Sequence, residues 1–125
     1  IEGNDKNQAI INLEMLMNTY PAHFISKMLQ IFLDSADNNL AEIHDAVKTK
    51  DVNLVHEKLH SLAGTAAIMK ATSLQKTSRN LMHYAREKDV KHLQDQLPEL
   101  DREINKLTEF IRQMLFLEEQ NQIVT

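Results

Sequence analysis

The sequence contains no cysteine and no tryptophan, and its 125 residues include only two glycines and two prolines. Without cysteine the chain can form neither a disulfide nor a thiolate metal site, which agrees with a reducing cytoplasmic setting. So few glycines and prolines are atypical of a protein built on tight β-hairpins. No apolar run approaches the roughly 20 residues that span a bilayer, and no signal peptide is visible. These absences predict a cytoplasmic protein that makes no direct membrane contact.

The charged side chains are mixed along the chain, with 14 lysines and arginines against 18 carboxylates and a formal net charge of -4. No basic stripe stands out, which argues against a nucleic-acid binder. A chain of this length can bury a modest core as one unit, so we expect a single monomeric domain over residues 1–125. The chain begins at Ile1 without a methionine, which leaves open whether it is part of a longer protein.

Helical periodicity runs through nearly the whole chain, while the alternation that marks β-strands is missing. The expected helices are a short one over Ala9 to Met17, a second from Pro21 to about Lys50, a third capped by Asp51, a fourth opened by a capping box at Thr72-Ser73-Leu74-Gln75, and a last one capped by Asp89. Pro98 interrupts the heptad pattern of the last helix and predicts a kink or local break near Leu97. Because the connections are short, the predicted fold is all-α, an antiparallel up-down four-helix bundle with a short additional N-terminal helix.

The apolar positions of each helix predict its inward face. They are Ile25, Met28, Phe32, Ala36, Leu40, Ile43 and Val47 on the second helix, Val55, Leu59, Leu62, Ala66 and Met69 on the third, Leu74, Leu81 and Ala85 on the fourth, and Leu93, Leu97, Leu100, Ile104, Leu107, Ile111 and Met114 on the last. We expect these side chains to form one core.

The third helix contains a five-residue match to a zinc-peptidase motif. His56-Glu57-Lys58-Leu59-His60 has the H-E-x-x-H pattern, in which both histidines bind one metal and the glutamate acts as general base. Hydrolysis also requires a third ligand, and the extended motif fails because Ala63 and Ala66 replace its glycine and last histidine. Glu87 or Asp89 could supply only a distant ligand. Zinc peptidase is therefore the least favoured function.

The same helix presents a histidine beside small residues. Because one residue advances about 100° around the axis, His60 lies about 200° from Leu62 and should point to solvent. The face predicted around it consists of Asn53, His56, His60, Ala63, Gly64, Ala67 and Ala71. A glycine in a helix interior costs about 1 kcal/mol relative to alanine. Gly64 therefore indicates either close packing against a neighbouring helix or a bare surface that lets another protein reach the imidazole.

This stretch resembles the motif of histidine-containing phosphotransfer (HPt) domains, which has the form H-x-L-K-G-[SA]-x-x-x-x-G-A. The matching residues are His60, Leu62, Gly64, Thr65 and Ala71, followed by Leu74, and the similarity extends over about residues 8 to 115. Phe32-Leu33-Asp34-Ser35 and Glu87-Lys88-Asp89 also resemble segments of that family.

The resemblance implies a phosphorelay intermediate rather than an enzyme. His60 would be the catalytic, phospho-accepting nucleophile, taking a phosphoryl group from a receiver-domain aspartate and passing it to another receiver. Ala63, Gly64, Ala67 and Lys70 would contact response-regulator receiver domains. The domain would need no cofactor of its own, since Mg²⁺ is expected on the receiver, and its parent chain could be a histidine kinase that tethers it to a membrane.

Two positions depart from the family pattern. Ala63 stands where a lysine is usual, and Lys70 stands where a second glycine is usual. A missing cation near the phosphoryl group could slow transfer. The alternative function is therefore a non-phosphorylated helical adaptor that binds a signalling partner, with the zinc peptidase third.

Overall fold

The computed structural model describes residues 10–124, with side chains as far as residue 120. It contains five helices, which we label α1 (Leu13–Thr19), α2 (Ala22–Lys48), α3 (Val52–Ile68), α4 (Thr72–Arg86) and α5 (Val90–Val124). Over this range no residue is in a β-strand and no helix is long and apolar enough to cross a membrane. The all-α prediction is confirmed.

The long helices form a closed bundle. Each contacts the next one along the chain, α5 also contacts α2, and α1 contacts α2. Three residues connect α2 to α3, α3 to α4 and α4 to α5. Connections this short place consecutive helices side by side and antiparallel. The contacts therefore agree with an up-down arrangement in which α3 has α2 on one side and α4 on the other.

The core forms largely as the periodicity predicts. Every predicted inward residue of α3 and α4 is buried, and so is every one of α5 except Met114, which is half-buried. On α2, Met28 and Leu40 are only half-buried, whereas Leu29 and Ala46 are buried in addition to the predicted set. Each fully buried leucine or isoleucine stabilises the fold by about 1.5–3 kcal/mol relative to an exposed one.

Two predicted caps are confirmed. The Asp51 carboxylate accepts a hydrogen bond from the Leu54 amide at 3.1 Å, and that of Asp89 accepts one from the His92 amide at 3.1 Å. The bond from the His92 amide holds the pKa of Asp89 below its usual range. Because the pKa of Asp89 is lowered in the folded protein, this cap stabilises the fold at pH values above the pKa of an ordinary aspartate. That stabilisation is lost as the pH falls through the lowered pKa.

The predicted capping box of α4 is wrong. Residue 71 is the N-cap, and no side chain bonds to the first turn there. The Ala71 amide also donates to the Ala66 carbonyl at 2.8 Å, closing the end of α3. Because the connection has only three residues, Ala71 both closes α3 and precedes the first residue of α4. Thr72 and Ser73 therefore lie inside α4.

Three other predicted boundaries also differ. The helix predicted over Ala9 to Met17 is interrupted, because Ile10 is helical but residues 11 and 12 are not; α1 begins at Leu13, where Asn12 caps it through a 3.1 Å bond from the Met15 amide, and ends at Thr19. Ala9 lies outside the described residues. The second helix ends at Lys48 rather than about Lys50. Helix α5 continues through Pro98, which is exposed, so the helix has no break near Leu97, while the kink stays a prediction. Solvent can therefore reach the carbonyl that Pro98 leaves without a donor.

The three connections within the bundle share one backbone conformation. Lys50, Lys70 and Lys88 each have a positive φ, between 59° and 60°. In every case the next residue donates its amide to the carbonyl five residues earlier, at 2.8–2.9 Å. This is the Schellman motif, whose left-handed position favours glycine. A lysine there is strained because its Cβ approaches the carbonyl oxygen. The glycine that the family resemblance expects at position 70 therefore has a conformational explanation.

We expect Lys88→Gly to stabilise the fold. Glycine relieves the left-handed strain, partly offset by its greater freedom in the unfolded chain, so the free energy of unfolding should rise by about 0.5–1 kcal/mol in urea. Lys48→Gly is the matched control, since Lys48 is helical and exposed. That variant should lose about 0.5–1 kcal/mol. Equal losses in both variants would contradict the strain argument.

Candidate functional site

His60 lies on the exposed surface of α3, as its position relative to Leu62 predicts. The residues that fix this orientation are its neighbours Leu59, which is fully buried, and Leu62, which is 6% exposed. The ring of His56, one turn earlier, lies parallel to that of His60, with the centroids 6.4 Å apart and the planes at 6°. The imidazole is therefore directed outwards from a helix whose rotation is set by the core.

His56 links α3 to α4. Its ring nitrogen Nε2 lies 3.5 Å from Nη2 of Arg86, the last residue of α4. A guanidinium only donates hydrogen bonds, so Nε2 must act as acceptor and the ring proton of a neutral His56 is on Nδ1. Helical periodicity placed His56 on the same face as His60 but gave no sign of Arg86, because 30 residues separate His56 from Arg86 along the chain.

The structure excludes one explanation of Gly64. This residue is exposed, and a Cβ added to it would meet no atom within 4 Å. Close packing therefore does not require glycine here, and the surface next to His60 is open. Ala67, one turn further along, is half-buried.

The exposed strip of α3 is narrower than predicted. Ala63 is only 7% exposed and Ala71 is fully buried, so their predicted place on the open face is wrong. Extensive contact between α3 and α4 covers that side of the helix. The residues that are exposed are Asn53, Glu57, His60, Ser61, Gly64 and Ile68. His60 thus lies near the α4 edge of a strip that opens towards α2.

An apolar groove runs along the α2 side of this strip. It has a volume of about 710 Å³, and its lining includes Phe24, Ile31, Ser61 and Ile68. Of these, Ile31 is 60% exposed and Ile68 is 49% exposed. Large exposed apolar side chains close together are typical of interaction surfaces. The helical pattern did not reveal this groove, because Ile31 and Ile68 lie outside the predicted inward faces.

The segment that carries His60 has a net charge opposite in sign to that of the whole chain. Residues 52–86 carry five lysines and arginines and one carboxylate, Glu57, whereas the other residues carry nine against seventeen. Helix α4 contains no aspartate or glutamate. Glu57 lines the groove on the α2 side. Counting charges by segment would have revealed this positive region, which the net charge hides.

Lys70 cannot supply the charge that Ala63 lacks. It lies ten residues after His60, about 15 Å along the helix axis, which is beyond the reach of its side chain. Its backbone carbonyl accepts a bond from the Asn12 amide at 2.9 Å. Lys70 therefore joins the turn after α3 to the segment before α1.

The described residues offer the H-E-x-x-H motif no third ligand. No group of three or more histidine, aspartate or glutamate side chains in that part of the chain could hold a metal. Asp89, a candidate distant ligand, is instead 2.6 Å from Nδ1 of His92. Glu57, the general base of the motif, faces the groove beside α2.

Comparison with known proteins agrees with this geometry. The family model described as the Hpt domain matches residues 27–110. The fold is similar to the HPT domain of an Hpt sensor hybrid histidine kinase from Shewanella, with a TM-score of 0.78, 18% identity, and coverage of 88% of this chain and 97% of that one. It is also similar to histidine-containing phosphotransfer protein B from Pseudomonas aeruginosa PAO1, with a TM-score of 0.69, 20% identity, and coverage of 72% and 78%.

None of the curated proteins compared with the chain matches it. The two structures show a shared fold, and the family match covers most of the chain, including α3 and α4. The chain therefore belongs to the Hpt domain family, whose members are phosphocarrier modules of two-component systems rather than enzymes.

Proposed function

We propose that His60 accepts a phosphoryl group from the aspartyl phosphate of one receiver domain and passes it to the aspartate of another. Hpt domains interact with receiver domains of two-component systems. The observation that carries the assignment to His60 is its exposure on α3 beside Gly64, where an added Cβ would meet nothing within 4 Å. An aspartyl phosphate held in a receiver can therefore approach this imidazole closely.

The chemistry requires little from this domain. The unprotonated ring nitrogen of a neutral imidazole attacks phosphorus with its lone pair. The phosphorus–nitrogen bond forms as the phosphorus–oxygen bond to the aspartate breaks, and the carboxylate leaves with the electron pair. Transfer to the next receiver reverses these changes. Catalysis of such a step consists of in-line positioning and charge stabilisation, and we assign Mg²⁺ and the reactive carboxylate to the receiver.

The proposed receiver surface centres on the open strip of α3. Gly64 supplies clearance, while Ala67 and Lys70 extend the surface towards the end of the helix. Ala63 is buried, so it can contribute only a small contact area to this surface. The apolar groove beside α2 adjoins the strip, so a receiver over His60 would also meet apolar surface. We further propose that the domain acts as a monomer in the cytoplasm, alone or as a module of a sensor kinase.

The groove also supports a second candidate function. An apolar surface of this size can bind a partner without any phosphate transfer. The protein would then be a helical adaptor, and His60 would serve only as a contact residue.

Acceptance of radiolabelled phosphate separates carrier from adaptor. We would incubate the protein with a phosphorylated receiver, or with a kinase–receiver pair, ATP and Mg²⁺. The wild-type protein should acquire a label that is labile in acid and persists in base, because a phosphorus–nitrogen bond has these properties and an aspartyl phosphate is lost in base. His60→Gln should take up no label, yet keep its helicity and its affinity for the receiver.

His56→Gln is the matched control, since it alters the neighbouring ring and leaves His60 in place. It should still be labelled on His60. An unlabelled wild-type protein that binds receivers would establish the adaptor function, and label on His56 would show that the nucleophile lies one turn earlier.

Clearance at Gly64 can be tested with Gly64→Gln. A side chain at this open position should leave the fold intact and raise helix propensity slightly, by less than about 1 kcal/mol. Receiver binding and phosphotransfer should both fall much more than stability does. Asn105→Gln is the control, because it enlarges an exposed side chain on α5, away from the strip, and should leave receiver binding unchanged. Unfolding of Gly64→Gln with normal binding per folded molecule would show that Gly64 is a packing residue.

Metal content tests the zinc hypothesis directly. Protein purified without added metal should contain no stoichiometric zinc, and chelator should leave helicity and melting unchanged. His56→Gln and His60→Gln should behave like the wild type in this assay. Tight one-to-one zinc that is lost in both variants would support the peptidase instead.

A further inference from the structure

We propose that Arg86 and His56 form an anion pocket for the phosphoryl group once it is attached to His60. This proposal rests on the proposed function, and it adds the groups that stabilise the phosphorylated state. A phosphoryl group carries about two negative charges near neutral pH. The side chains nearest to it in the folded protein therefore decide much of its free energy.

The geometry brings both groups to the same edge of α3. His56 is one turn from His60, with the rings parallel and 6.4 Å apart. The guanidinium of Arg86 reaches across from α4 and lies 3.5 Å from the His56 ring. A cation of α4 thus contacts the side chain one turn before the reactive imidazole, although α3 itself has no lysine or arginine on that side.

Arg86 is available for an anion. None of the carboxylates among the described residues forms an ion pair with it, whereas Arg102 and Arg112 on α5 pair with Glu99 and Glu109. Its contact with His56 uses one N–H, and a guanidinium has five. The remaining donors can bind phosphoryl oxygens without separating Arg86 from His56.

The two helices that carry this site contain a single carboxylate between them. Helix α4 has no carboxylate, and the single carboxylate of α3, Glu57, lines the groove on the other side. Ala63, one turn after His60, is uncharged and buried. Arg86 is therefore a cation placed beside this site, and its contact with His56 directs it there.

The roles of the two residues differ. Arg86 contacts the phosphoryl oxygens and provides positive charge, which makes charge-assisted hydrogen bonds about twice as strong as neutral ones. His56 acts mainly as a positioning residue, since its Nε2 accepts from the guanidinium. Neither group is needed to hold the bundle together, because Arg86 is exposed and His56 is half-buried.

The contribution of the pocket to the stability of phosphorylated His60 can be measured from the equilibrium of phosphotransfer. A contact made only in the phosphorylated state shifts the distribution of phosphate between the receiver aspartate and His60. Arg86→Gln should lower the share on His60 by about threefold to tenfold, the effect of one partly exposed charge-assisted bond. His56→Ala should lower it by less, and Arg86→Lys should restore most of it by keeping the charge.

Lys76→Gln is the control for general electrostatics. Lys76 is exposed on the same helix but lies ten residues from Arg86, about 80° around the axis. This variant should match the wild type. An equal shift in Lys76→Gln and Arg86→Gln, or no shift in Arg86→Gln, would overturn the pocket.

A partner-free experiment separates this proposal from the proposed function. Phosphoramidate can phosphorylate histidine directly, with ammonia as the leaving group, and mass spectrometry locates the label. Urea unfolding at alkaline pH should then show that phosphorylation of His60 stabilises the wild type relative to phosphorylated Arg86→Gln. That result with no transfer from any receiver would sustain the pocket and overturn the relay. If a receiver does transfer phosphate to His60, but phosphorylation stabilises the wild type and Arg86→Gln equally, the relay would stand and the pocket would be overturned. A wild type that is labelled at His60 neither by a receiver nor by phosphoramidate would overturn both proposals.

Discussion

The burial of Leu59 and Leu62 on either side of His60 is the constraint on which the site depends. Both leucines belong to the core, so they fix the rotation of α3 about its axis. That rotation points the imidazole outwards. The same rotation places Gly64 on the open strip and turns Ala63 towards α4. One packing arrangement therefore sets the direction of the nucleophile, the clearance beside it and the side from which a partner can approach.

The surface around His60 combines two different properties. Towards α2 it is apolar, with Ile31 and Ile68 exposed along the groove. Towards α4 it is positive, because α4 has no carboxylate and ends in Arg86. Apolar area contributes to affinity, while complementary charge contributes to orientation and to the rate of encounter. A receiver, whose reactive carboxylate must face His60, would benefit from both in one contact.

The sequence predicted the core well because burial depends on a regular spacing of apolar residues. It also predicted the caps at Asp51 and Asp89, where the acidic residue directly precedes its helix. It failed at Thr72, where the turn geometry assigns the cap to residue 71. The direction of His60 followed from the period of α3. The burial of Ala63 did not follow from that period, because the width of an open face depends on how closely the neighbouring helices pack. The pairing of His56 with Arg86 joins two helices, and periodicity within one helix carries no information about it.

The three lysine turns have a consequence for the electrostatics of His60. They lie at residues 50, 70 and 88, so α3 is bounded by left-handed lysines that are each ten residues from His60. The imidazole is therefore at the midpoint of α3, eight residues or about 12 Å from either end. The partial charges of a helix macrodipole act within the first and last turns, so neither end can stabilise an anion at this position. Many phosphate sites use the backbone amides at a helix N-terminus. Here the midpoint location removes that source of charge, which leaves side chains from a neighbouring helix to provide it.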